Sequence, residues 1–95
     1  MLREVVQIFA DESPQMLRHM AEAIERRDAG GLQKTTHKLR GSLLQFAAPA
    51  ASSAAADLEK SAARISIDEA RFSLNKLKAE IDVLMEALTA MTSPV

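Results

Sequence analysis

TTHKLRGSLLQF, residues 35–46, holds one of the two histidines of this 95-residue chain. Lys34, Lys38 and Arg40 crowd that histidine, His37, and the stretch contains no acid. Four residues further on stands Gly41. A glycine inside a helix costs roughly 1 kcal/mol relative to alanine. The stretch is nevertheless helical by its pattern. With His37 set at zero, Thr35, Leu39, Leu32, Leu43 and Phe46 fall between roughly 160° and 240° on the helical wheel. That arc is the expected core face, which places His37 on the opposite side, exposed and in mid-helix. Gly41 follows at about +40°, Gln33 at about −40°, and Lys34 and Arg40 about 60° away. Leu44 and Ala48 continue the histidine side at about −20° and +20°. An exposed leucine beside an exposed histidine, a bare glycine and two cations has the makings of a docking surface.

The chemistry of such a face follows from its parts. A neutral imidazole is a good nucleophile near pH 7. Neighbouring cations disfavour its protonation and favour negative charge placed on the ring. Gly41 removes the side chain that would otherwise lie over the imidazole, so a partner could approach.

Outward from this stretch the chain reads as helices throughout. Ala, Leu, Ile and Met dominate the 47% apolar fraction, with three Phe and no Trp, Tyr or Cys. These are mostly helix formers. A first helix is expected over about residues 2–27, with an apolar stripe of Leu2, Val5, Val6, Phe9, Met16, Leu17, Met20 and Ile24. Pro14 predicts a kink or a restart there, with Ser13 as N-cap. Arg26 and Arg27 suit the helix C-terminus. Asp28 caps a second helix running to about Phe46. Pro49 opens an alanine-rich third helix, to about Ala63, anchored by Leu58. SIDE, residues 66–69, reads as a capping box, Ser66 serving the Glu69 amide and the Glu69 carboxylate reaching back. In the fourth helix Ile67, Ala70, Leu74, Leu77, Ile81, Leu84, Leu88 and Met91 recur in steps of three and four, the seam of a left-handed bundle. Short connections favour antiparallel neighbours. The fold expected is an all-α, up-and-down antiparallel four-helix bundle, one domain over residues 1–95 with a frayed tail at 92–95. The first helix begins almost at residue 1, which hints at a domain cut from a longer protein.

Several functions are disfavoured. A net charge of −1 offers no field for nucleic acid. No apolar run approaches the ~18 residues of a membrane span, and nothing reads as a signal peptide. A cysteine-free chain suits the cytoplasm. The two histidines are not at metal-ligand spacing, and His19 lies in no special setting.

The HKLRGSL run resembles the HxLKGSS motif of histidine-containing phosphotransfer (HPt) domains of two-component phosphorelays. His37, Leu39, Gly41 and Ser42 match. Arg40 stands for the usual lysine, Leu43 for the second small residue, and Ala47 where a glycine often ends the helix. IFADESPQML and ERRDAGGLQKTTHKLRGS also resemble the family, so the likeness spans nearly the whole chain. It implies that His37 accepts a phosphoryl group on its outward ring nitrogen, that Arg40 steadies the charge and that Gly41 leaves room. Lys34, Gln33, Leu44 and Ala48 would then meet the partner, the receiver domain of a response regulator or sensor kinase, in a transient complex. No cofactor is expected in this chain, since the receiver brings the Mg²⁺, and a monomer is expected. Two other readings compete. A histidine-kinase dimerisation element usually has an acid after its histidine, where Lys38 stands here. The third is a helical interaction module without phosphate chemistry.

Overall fold

The computed structural model describes residues 2–46, 48–64 and 66–92, without the side chains of Leu2 and Thr92. Four helices occur in this span: α1 (Leu2–Glu25), α2 (Ala29–Leu44), α3 (Pro49–Ser61) and α4 (Ile67–Thr92). Each packs on its chain neighbours, and α4 returns to α1, while α2 and α4 stand on opposite corners. Phe9, early in α1, meets Phe46 just past α2, and Glu25 at the end of α1 meets Arg71 at the start of α4. The direction therefore reverses between neighbours, as the short connections predict.

The helices α1 and α4 are much the longest, and the molecule extends 45 Å along its main axis. The core is the expected aliphatic one. Met20, Leu39, Leu43, Leu58 and Leu77 are fully enclosed. Ala51 and Ala55 bury the inner face of α3. Alanines let that short helix approach its neighbours closely. The Phe9 and Phe46 rings meet edge to face at 5.1 Å, a contact worth about 0.5–1.5 kcal/mol beyond area burial.

Several details differ from expectation. The first helix does not restart at Pro14: α1 runs unbroken through it, and Ser13 is buried within the helix instead of capping one. The reason is register. Val6, Phe9, Ser13, Met16, Met20 and Ile24 keep steps of three and four across the proline, and only a continuous helix buries them together. Secondly, the ends of the apolar stripes project outward. Val5 on α1 and Met91 on α4 are exposed, because α2 and α3 are too short to cover the far end of the long pair. Thirdly, Thr36 and not Thr35 sits in the core. The Thr36 hydroxyl donates to the Leu32 carbonyl at 2.6 Å, while Thr35 is half-buried. The core arc of α2 is thus turned slightly towards α3.

The fourth difference is the end of α1. The helix stops at Glu25, so neither Arg26 nor Arg27 lies in its last turn. Instead Arg27 takes the left-handed conformation, with φ of 58°. The Asp28 amide donates to the Ala23 carbonyl at 2.8 Å, and the Arg27 amide to that of Ile24 at 3.1 Å. That pair of bonds is the Schellman motif, with arginine at the position glycine usually takes. Thr92, the first residue of the expected frayed tail, is helical. Residues 93–95 and Ala47 lie outside the described residues.

Candidate functional site

The helix that carries His37 is fixed at its start by local chemistry. The Gly31 amide donates to Asp28 Oδ1 at 2.9 Å, the expected cap. A Cβ on Gly31 would run into that carboxylate, so the glycine is part of the cap. Leu32, Thr36, Leu39 and Leu43 hold the buried side of α2. Leu43, which replaces a small residue of the HPt motif, is accommodated fully inside. His37 is thereby aimed outward, with 64% of its side chain exposed.

His37 is not without an acid. Its Nδ1 lies 2.8 Å from Oε2 of Glu59, on α3 and 22 residues away. The Arg40 guanidinium joins them. Its Nε is 3.2 Å from Glu59 Oε1, and its Nη2 is 3.2 Å from His37 Nδ1. A carboxylate only accepts and a guanidinium only donates, so both cannot hydrogen-bond the same nitrogen. The shorter contact decides: Nδ1–H donates to Glu59, and Arg40 neutralises the carboxylate as an ion pair. Both Arg40 Nε and Glu59 Oε1 are buried and lack a well-aligned hydrogen bond, so each depends on the other's charge. In the neutral ring, a proton on Nδ1 fixes the tautomer and leaves the Nε2 lone pair free. Among the described residues Nε2 has no partner.

The structure thus corrects the picture of a histidine surrounded by cations alone. Arg40 is half-buried and engaged with Glu59 and Nδ1, not held out in front of the ring. Gly41 behaves as the wheel suggested. A Cβ there would meet nothing within 4 Å, so no helix crossing in this chain requires glycine. Gln33 and Lys34 are exposed and line, with His37, Glu59, Gly30 and Gly31, a shallow open depression. Leu44 lies on the far side of Gly41 and is 62% exposed. Ala48 is half-buried and packs against the core, which leaves it little surface to offer.

Two elements of this surface were missed by sequence reasoning. Glu59 was one. Its only signal was a charged residue beside Leu58 on an alanine-rich helix, and nothing local ties it to His37. The other is an apolar cleft between α1 and α2, lined by Val5, Ile8, Phe9, Glu12, Gln45 and Phe46. No group of three or more potential metal ligands occurs among the described residues, and no helix there is long and apolar enough to cross a membrane.

The described residues thus give four helices, with an outward histidine and an open glycine one turn on. Residues 4–90 match the Hpt domain family, and the chain belongs to it. Members of that family are phosphocarrier modules of two-component phosphorelays and interact with receiver domains. Neither a curated protein nor a solved structure is a significant match to the chain.

Proposed function

We propose that this chain relays phosphoryl groups through His37, taking them from an aspartyl phosphate on one receiver domain and passing them to, or back from, another. One observation carries the reading: the exposed imidazole is held by Glu59 at Nδ1, with Nε2 free and open space over Gly41. In the transfer step the Nε2 lone pair attacks phosphorus and forms the N–P bond. The bond from phosphorus to the aspartyl oxygen breaks, and the carboxylate leaves with the electron pair. Positive charge that develops on the ring is shared by Nδ1–H, where the Glu59 carboxylate offsets it. The carrier needs no metal of its own for this. The acidic pocket and Mg²⁺ belong to the receiver, and the carrier turns over nothing alone.

The receiver would settle over Gly41. Gln33 and Lys34 meet it on one side and Leu44 on the other, with a basic and partly apolar rim that complements an acidic pocket. Such contacts are small and transient. Arg40 serves this site first by balancing Glu59, and a phosphoryl group on His37 would compete for it. The setting expected for these partners is the cytoplasm.

The test is phosphoryl transfer from a receiver labelled with acetyl phosphate. The chain should acquire an acid-labile, base-stable label, and His37→Gln should acquire none. Label retained by His37→Gln would place the acceptor elsewhere.

A further inference from the structure

Two cations flank His37 on α2, and their surroundings differ. Arg40 lies about 60° round the helix on the side of α3, and Lys34 about 60° round on the other side, one turn before the histidine. Arg40 is committed. Its Nε pairs with Glu59 Oε1 at 3.2 Å, and its Nη2 stands 3.2 Å from His37 Nδ1. That is the wrong edge of the ring for the atom that reacts. Nδ1 lies on the edge of the imidazole that faces Glu59, and Nε2 lies at the tip of the opposite edge. Arg40 reaches a group on Nε2 only by leaving Glu59, which strands a buried carboxylate oxygen. Lys34 carries no such commitment. It is exposed, and among the described residues it has no hydrogen bond or ion pair. With His37 it lines the open depression that Gly30 and Gly31 also border. The two acids there are already engaged, Glu59 with Arg40 and His37, and Asp28 with the Gly31 amide.

We propose that Lys34, and not Arg40, takes up the charge of the phosphoryl group on His37 Nε2. The inference rests on the phosphocarrier reading and adds a catalytic residue to it. Residues three apart on a helix are surface neighbours, with Cβ atoms about 5–6 Å apart. Helical side chains lean towards the helix N-terminus, so the imidazole inclines over the turn that carries Lys34. The flexible four-carbon stem of the lysine brings its ammonium to a group on Nε2. A phosphoryl group carries about two negative charges and three acceptor oxygens, and the ammonium has three donors to offer. Lys34 makes and breaks no covalent bond in the step. It donates to a phosphoryl oxygen while the N–P bond forms and the bond from phosphorus to the aspartyl oxygen breaks. Lys38 is exposed as well, but it follows His37 directly, and residues one apart on a helix do not face each other.

The test is the ratio of forward to reverse second-order rate constants for transfer between a labelled receiver and the whole chain. That ratio is the equilibrium constant between the free proteins. A contact made only with the receiver changes both rates alike and leaves the ratio where it was, whereas a contact with the phosphoryl group moves it. Lys34→Gln should lower the ratio about two- to fivefold, the range of an exposed ion pair. Lys34→Arg should restore it, and both variants should keep the helical circular dichroism of wild type. An unchanged ratio in Lys34→Gln, or a loss that Lys34→Arg leaves unrecovered, overturns the inference alone while His37 is still labelled. A wild-type chain that takes no label, or label retained by His37→Gln, overturns the phosphocarrier reading and the inference with it.

Discussion

Replacing Glu59 by alanine should slow phosphoryl transfer to His37 by about tenfold or more. The carboxylate makes a 2.8 Å bond to Nδ1, and its side chain is only 18% exposed. A hydrogen bond to a charged group contributes about 1.5–3 kcal/mol. His37 itself is largely in water, so the lower end applies, and about 1.4 kcal/mol in a barrier is a factor of ten. Two effects contribute. Without Glu59 the ring exchanges freely between tautomers, so the Nε2 lone pair is presented only part of the time. The charge developing at Nδ1–H also loses its partner. Glu59→Gln separates them: an amide oxygen can still accept from Nδ1–H but carries no charge, so this variant should fall between wild type and Glu59→Ala. Single-turnover transfer from a labelled receiver measures the rates, and ¹⁵N shifts of the His37 ring report the tautomer. If Glu59→Ala keeps the Nδ1–H form and transfers at the wild-type rate, the assignment of Glu59 as a positioning residue is wrong.

Gly41→Ala should stabilise the fold by up to about 1 kcal/mol, since helix propensity improves and nothing opposes the new methyl. Gly41→Leu should keep the helical content but slow transfer, because the larger side chain reaches into the partner's space. Unchanged transfer in Gly41→Leu would refute the access role. Arg27→Gly should raise stability by about 0.5–1 kcal/mol, a few degrees in melting temperature, by relieving the left-handed φ without altering labelling of His37. The Arg71 guanidinium hydrogen-bonds Glu25 and holds its carboxyl below the ordinary value of 4.5. A lowered folded-state pKa stabilises above the unfolded value, and that gain fades as pH falls through the folded one. The difference in melting temperature between wild type and Arg71→Met should therefore be small and salt-sensitive above pH 4.5, and should shrink in acid.

The parts of the fold that were legible in the sequence are those that depend on neighbours three or four residues apart. The caps at Asp28 and Ser66, the proline that opens α3 and the seam of α4 all belong to this class. So does the outward aim of His37, which needs only the wheel and the buried leucines behind it. The restart at Pro14, with Ser13 as its N-cap, does not occur, because the proline's local cost is outweighed by the burial that a continuous α1 secures. The end of α1 was obscured because arginine takes a conformation for which glycine is the usual sign.

Sequence alone therefore determined four helices, their order, and a histidine with clearance beside it. These follow from helical periodicity and backbone propensity, which act within one turn or two. Tertiary structure decided what stands behind the histidine. Glu59 reaches Nδ1 only because α2 and α3 pack with a particular rotation and offset, and Arg40 turns to it because a half-buried carboxylate must be balanced. No spacing along the chain encodes that meeting, since its partners lie 22 residues apart on different helices. It is the packing of the core that sets it.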